Sequence, residues 1–240
     1  MKVMRLTGPK QHSRYEIWLW SALLAVVAIL VGCGGAPEGV HHMSAQAVAI
    51  AAKDLPTGWK SCGSLTAGHE QSDRFWRCVG LNARQADVPT EVGPTWFDDR
   101  GHVVASSLLR YASMAAASSA FAAVSGHKGR RCYLAFLQDG VRQNRDVVSS
   151  THWSMILTPG SKKTSQTRVL TTYAADFADI GPQHVIRYFF WIRSGSAVAT
   201  LELYSAGSGV NVHLEQRLLA TIGERLRLCA KDSRCLPGVI

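Results

Sequence analysis

The apolar positions of this 240-residue chain form one long block and then several short periodic runs. The block, Ile17–Val31 (IWLWSALLAVVAILV), is interrupted only by Ser21, and Lys2, Arg5, Lys10 and Arg14 precede it. A basic leader, an apolar run and small residues behind it are the layout of a secretory signal segment. The run is also shorter than the about 20 residues that a bilayer-spanning helix needs. An uncleaved signal anchor is the alternative. Gly34–Met43 (GGAPEGVHHM) is Gly-rich, carries a Pro and reads as a flexible tether. The chain therefore divides into a signal peptide (1–32), a tether (33–43), one domain (44–230) and a tail (231–240).

Within the domain the period changes from run to run. Ser44 is placed to cap a short helix, Ala45–Lys53, which Pro56-Thr57-Gly58 ends. Trp59–Gly80 is polar and turn-like. Trp96-Phe97 enters a strand, Asp98-Asp99-Arg100-Gly101 turns it, and His102–Tyr111 returns. Alternation puts Val103, Ala105, Ser107, Leu109 and Tyr111 on one face of that strand, and Val104, Ser106, Leu108 and Arg110 on the other. SMAAASSAFAAVSG (113–126) predicts an alanine-rich helix, and Cys132–Gln138 a second helical segment. Four strand-like runs follow: Trp153–Leu157, Thr167–Ala175, Val185–Arg193 and Ala197–Tyr204. Ser194-Gly195-Ser196 joins the last two into an antiparallel hairpin. Asn211 caps a closing helix through Leu228, whose Leu214, Leu218, Leu219, Ile222 and Leu226 make a 3.6-period stripe. These elements predict an α+β fold: an antiparallel sheet of five or six strands with two helices on it, a two-layer sandwich stapled by disulfides.

Leu30-Val31-Gly32-Cys33 closes the apolar block and resembles the lipobox of the bacterial lipoprotein family. That resemblance implies a diacylglyceryl (palmitate-type) modification on the Cys33 sulfur and cleavage before Cys33. It places the mature protein at the cell membrane, lipid-anchored on the extracytoplasmic face. Removing 1–32 takes away four basic residues and Glu16, which lowers the formal charge from +9 to about +6. Such a charge on an exported protein suits anionic lipid head groups or acidic wall polymer. Nucleic acid is not an expected partner, because the longest basic cluster is Lys128, Arg130 and Arg131, a solvated loop in the ordinary case.

With Cys33 lipidated, Cys62, Cys78, Cys132, Cys229 and Cys235 remain, in a compartment where disulfides persist. Cys62 and Cys78 are near enough to bridge a short loop, worth about 3 kcal/mol in the chain-entropy picture. Cys132 is then expected to join one of the C-terminal pair. That leaves Cys229 bridged and Cys235, in the tail, as the spare thiol. No CxxC is present, and no histidine stands at ligand spacing from these cysteines, so no metal is expected. His41-His42 in the tether is a weak metal candidate.

Catalytic patterns are absent from the sequence. There is no G-x-S-x-G turn, no His-Glu-x-x-His and no phosphate loop. Cys132 beside Arg130 and Arg131 is the best thiolate candidate, but a disulfide half is the stronger reading. Asp98 and Asp99 are neighbours in a turn, and Asp139, Asp146, Asp176 and Asp179 are scattered. No cofactor is implied and no catalytic residue is assigned.

One strand carries an unusual face. Alternation over Val185–Arg193 puts Arg187, Phe189, Trp191 and Arg193 together, opposite Ile186, Tyr188, Phe190 and Ile192. Interleaved cationic and aromatic side chains can grip an anionic, partly apolar ligand such as a lipid or glycan. The plainer reading packs Phe189 and Trp191 under a helix while the arginines reach the rim.

Val103–Leu108, then Ala115–Val124, then Cys132, with Val185–Leu228 as final hairpin and helix, resembles the extracellular sensor-type domain of a mycobacterial serine/threonine kinase family and its free lipoprotein relatives. The resemblance implies a disulfide-stapled extracellular ligand-sensing domain with no catalytic residues to carry over. The expected function is thus a non-catalytic, lipid-anchored binding or sensor domain, with an anionic lipid, a glycan or an envelope protein as ligand. A structural or interaction protein of the envelope is the alternative, and a cell-envelope hydrolase ranks last.

Overall fold

The hairpin expected from Val185–Arg193 and Ala197–Tyr204 forms the middle of the sheet in the computed structural model, as strands β7 (Gly181–Ser194) and β8 (Ala197–Ala206). Gly195 makes the turn at φ +58°, a conformation that glycine adopts without a Cβ penalty. The structure describes residues 48–64, 69–81, 91–144, 146–159, 165–207, 209 and 211–229. The expected signal peptide, Cys33, His41, His42 and Cys235 lie outside them.

Six further strands complete one antiparallel sheet: β1 (Lys60–Ser64), β2 (Glu91–Val92), β3 (Pro94–Phe97), β4 (Val103–Arg110), β5 (Val147–Pro159) and β6 (Gln166–Phe177). The order is β1-β3-β4-β8-β7-β6-β5, with β2 pairing β4 off that path. The sheet therefore has more strands than the five or six expected. The additions are the short β1 and β2, whose few residues carry no readable alternation. The other helices are α1 (His69–Val79), α2 (Met114–Ser125), α3 (His127–Gln143) and α4 (Val212–Cys229).

Helices cover both faces, so the architecture is α+β in three layers, not the expected two. The reason lies in β4 and β8, which are buried at nearly every position (VVASSLLR and AVATLELYSA). A strand buried on both faces needs cover on both. On one face Leu218, Ile222 and Leu226 of α4 pack on Phe190, Ile192, Leu201 and Leu203. The Asn211 side chain caps α4, accepting from the backbone N–H of His213 (2.9 Å) and Leu214 (3.3 Å). On the other face Ala117, Ala120 and Val124 of α2, with Tyr133 and Leu137 of α3, pack on Leu109, Val169, Trp191 and Val198. Ser113 caps α2 by accepting from the Ala116 N–H.

Two local expectations are corrected. Trp59–Gly80 is not a turn-rich loop but β1 followed by α1. The helix expected through Lys53 gives way to extended backbone at Ala51 and a single 3-10 turn, Ala52–Asp54. Sheet contacts hold that backbone open: the Ile50 N–H donates to Ser106 Oγ (3.1 Å), and Trp96 Nε1 donates to the Ile50 carbonyl (2.9 Å). Arg225 of α4 closes the segment, donating to the Ala49 carbonyl and to Asp54 Oδ1.

The cysteine pairing also differs. Cys78 of α1 bonds Cys132 of α3, with Cα atoms 5.7 Å apart and a sequence separation of 54. This replaces both expected bridges, Cys62 with Cys78 and Cys132 with a C-terminal cysteine. Sequence proximity favours closing the short loop, but α1 packs along α3 and brings Cys78 to the more distant partner. Cys62 stands in β1 and Cys229 at the last position of α4.

Candidate functional site

The cationic-aromatic face of β7 is turned inward, beneath α3. Arg187 stands opposite Tyr204 of β8 and Thr171 of β6, and Phe189 stands opposite Glu202 and Val169. Directly opposed residues share a face, so Arg187, Glu202, Tyr204 and Thr171 project to the same side, with Glu202 diagonal to Arg187. Arg187 Nε meets Glu202 Oε1 in an ion pair, and the residues are only 1% and 2% exposed.

Aromatic rings enclose the pair. Tyr133 reaches down from α3, its ring centroid 5.8 Å from the Arg187 guanidinium carbon, within the range of a cation–π contact. Tyr133 also packs at 5.0 Å from Phe189 and 5.4 Å from Trp191, whose own rings are 4.5 Å apart. Buried Tyr173 and Tyr204 complete the surround, and Trp153 of β5 stacks on Tyr173 at 4.1 Å. Beyond the single ion-pair contact, Arg187 Nη1 and Nη2, Glu202 Oε2, Thr171 Oγ1 and the Tyr133 hydroxyl have no hydrogen-bond partner among the described residues. A buried polar atom without a partner carries most of its desolvation penalty. Several in one place make this the largest group of unpartnered buried polar atoms among the described residues.

The electrostatics follow from that dryness. Burial pushes the Glu202 carboxyl up to about 7, against the pull of Arg187. Burial works against the Arg187 charge, but Glu202 and the nearby tyrosines hold its pKa above the usual value. Burial also raises the Tyr133, Tyr173 and Tyr204 hydroxyls. Glu202 is thus the one group of the cluster brought close to neutral pH.

The expected ligand face is therefore divided by depth. Arg187 and Trp191 are sealed, Phe189 is half-buried, and Arg193 is half-buried at the strand end, where its Nη2 donates to Ser165 Oγ (3.2 Å). The plainer reading placed the aromatics correctly under a helix, but Arg187 does not reach the rim. Glu202 was missed. Its signal was the one charged residue, at an inward position, of the strand AVATLELYSA, one hairpin partner away from an inward arginine.

Other candidates do not gather. Asp98 accepts from the Arg100 and His102 backbone and pairs with the His102 ring at 2.8 Å, while Asp99 pairs with exposed Lys60. Asp139 pairs with Arg142 on the α3 surface. Cys132, the thiolate candidate, is a disulfide half. Among the described residues no three His, Cys, Asp or Glu side chains lie in metal-binding proximity, and no helix is long and apolar enough to cross a membrane.

No protein-family model matches the chain, and no curated protein matches it. Among solved structures it is similar to the extracellular domain of PknH from Mycobacterium tuberculosis, with a TM-score of 0.45 and 10% identity, over 81% of this chain and 100% of that one.

Proposed function

We propose that the chain is a lipoprotein, held through Cys33 on the extracytoplasmic face of the cell membrane, whose domain is a non-catalytic ligand-binding or sensor module. The observation that carries the binding role is the Arg187–Glu202 pair set under α3 with unpartnered donors around it. Stability alone is a poor reason for such a pair, since well-packed apolar residues serve as well or better. Two further features support the address: the L-V-G-C ending of the apolar block, and a disulfide that ties α1 to α3. Fractionation of cells, with external protease on spheroplasts, tests the address. The wild type is expected in the membrane fraction and open to the protease, and Cys33→Ser is expected to leave it. A protected cytoplasmic pool of wild type contradicts the proposal.

A second reading, an envelope interaction protein, draws on β5. This strand lies at the sheet edge and exposes Val148 (68%) and Ile156 (55%). It predicts an association that Ile156→Lys abolishes.

A further inference from the structure

We infer that α3 is a lid over an oxyanion site whose receptor is the Arg187 guanidinium. The inference rests on the reading of the domain as a binding module and names its ligand class. The cluster is rich in donors: Arg187 Nη1 and Nη2, the Thr171 hydroxyl and the Tyr133 hydroxyl are buried and without protein partners. Their complement is a compact group with several acceptor oxygens, such as a carboxylate, sulfate or phosphate. Phe189 and Trp191 continue the same face and offer an apolar wall to whatever carries that group.

In the closed state Glu202 occupies one edge of the guanidinium. A ligand oxyanion takes over that role, and it does so most readily when Glu202 carries a proton and the site keeps a net positive charge. The groups facing Glu202 are Arg187 from β7, Tyr133 from α3, Tyr173 from β6 and Tyr204 from β8. Arg187 stays charged, and burial keeps the three tyrosines neutral to high pH. Glu202 alone therefore titrates between pH 6 and 8, where burial places it.

The lid is α3 because opening it rewets these atoms. Lifting α3 exposes apolar side chains such as Leu137 and Val141, which opposes opening, but it also lets water reach the unpartnered donors, which favours it. On the α4 face the corresponding pair, Arg168 with Glu215 of α4, stands over Tyr188, and its arginine side chain is 38% exposed. Entry to α3 is at Gly126, with no side-chain cap. The Cys78–Cys132 bridge and the Arg130 bond to the Met155 carbonyl (2.6 Å) tie the first turns of the lid to α1 and β5.

Full-length protein extracted in detergent is titrated calorimetrically with sulfate, and separately with hexyl sulfate below its micellar concentration, at pH 6 and pH 8 and constant ionic strength. Both probes keep the same charge over this range. We expect binding by at least one probe, about tenfold tighter at pH 6, as the competent fraction falls with Glu202 deprotonation. Binding of both marks a free oxyanion as sufficient, whereas binding of hexyl sulfate alone marks an amphiphile's head group. Thr171→Val and Tyr133→Phe, which keep volume and fold, are expected to weaken binding at least tenfold. Amide exchange in α3 is expected to be faster than in α4 and to slow on binding. No binding of either probe, or binding unchanged in both variants, overturns the inference. A correctly anchored protein that takes no oxyanion leaves the fractionation result standing and overturns this inference alone.

Discussion

Arg187 and Glu202 stand diagonal to one another on adjacent antiparallel strands, one beside Tyr204 and the other beside Phe189, and their charges meet where water does not reach. Three tyrosines surround the contact, a helix covers it, and a disulfide holds the helix.

The pair is expected to contribute little net stability, yet losing half of it is expected to be severe. Arg187→Met or Glu202→Leu alone leaves an uncompensated buried charge, and we expect a loss of about 3–5 kcal/mol. The double variant is expected to be neutral or up to about 4 kcal/mol more stable than wild type. Urea unfolding of the four proteins in a mutant cycle checks this. Additive single losses contradict it.

Glu202 also sets a pH dependence of definite sign. Its folded pKa, about 7, lies above its ordinary value of 4.5. The folded state therefore binds the proton more tightly, and the contribution to stability is full below about 4.5 and lost as pH rises through 7. Glu202→Gln, which cannot ionise, is expected to lose this slope, so that its stability relative to wild type improves as pH rises. The denaturation midpoint, followed from pH 5 to 8 in both proteins, measures the difference.

Asp54 provides the opposite case. Burial alone would raise its pKa, but Arg225 and the Ala51 N–H outweigh it and hold the carboxyl below its usual 3.8. Its contribution is present above 3.8 and lost as pH falls through the lower folded value. Asp54→Asn is expected to reduce stability by about 1.5–3 kcal/mol near neutral pH, the range of a charge-assisted hydrogen bond. The deficit should shrink on acidification. Thermal melts of both proteins at pH 7 and pH 3 decide it.

The Cys78–Cys132 bridge closes a loop of 54 residues. The chain-entropy model gives about 4 kcal/mol for such a loop. Cys78→Ser with Cys132→Ser is expected to lose about that much and to speed amide exchange in α1 and α3. Non-reducing peptide mapping of the wild type should recover the Cys78 and Cys132 peptides joined. A Cys62–Cys78 peptide would contradict the structure.

Long periodic elements were readable from the chain. The stripe Leu218, Ile222 and Leu226 predicted both α4 and the face it buries, and the alternation of β7 and β8 predicted their hairpin. Helix α1 escaped because HEQSDRFWRCV is mostly polar and presents Phe75, Trp76 and Val79 within little more than one turn. Only packing against α3 shows them to be one face. The third layer escaped because near-continuous burial of β4 and β8 looks, in sequence, like one apolar face with small interruptions. Arg187 was picked out by its neighbours Phe189 and Trp191, yet its partner was not. The hairpin register was available: counting back from the Ser194-Gly195-Ser196 turn puts Glu202 opposite Phe189, next to Arg187. What the count cannot give is α3 above them, and it is that helix which turns a surface pair into a buried one.

The proposal that the protein is anchored through Cys33 on the extracytoplasmic face is tested most directly by its intact mass after extraction from membranes, wild type beside Cys33→Ser, with thiols alkylated before and after reduction. The account predicts a wild-type mass that begins at Cys33 and carries a lipid-sized increment, absent from the variant, with Cys78 and Cys132 alkylated only after reduction. An unprocessed chain that retains residues 1–32, carries no lipid and alkylates freely would contradict it.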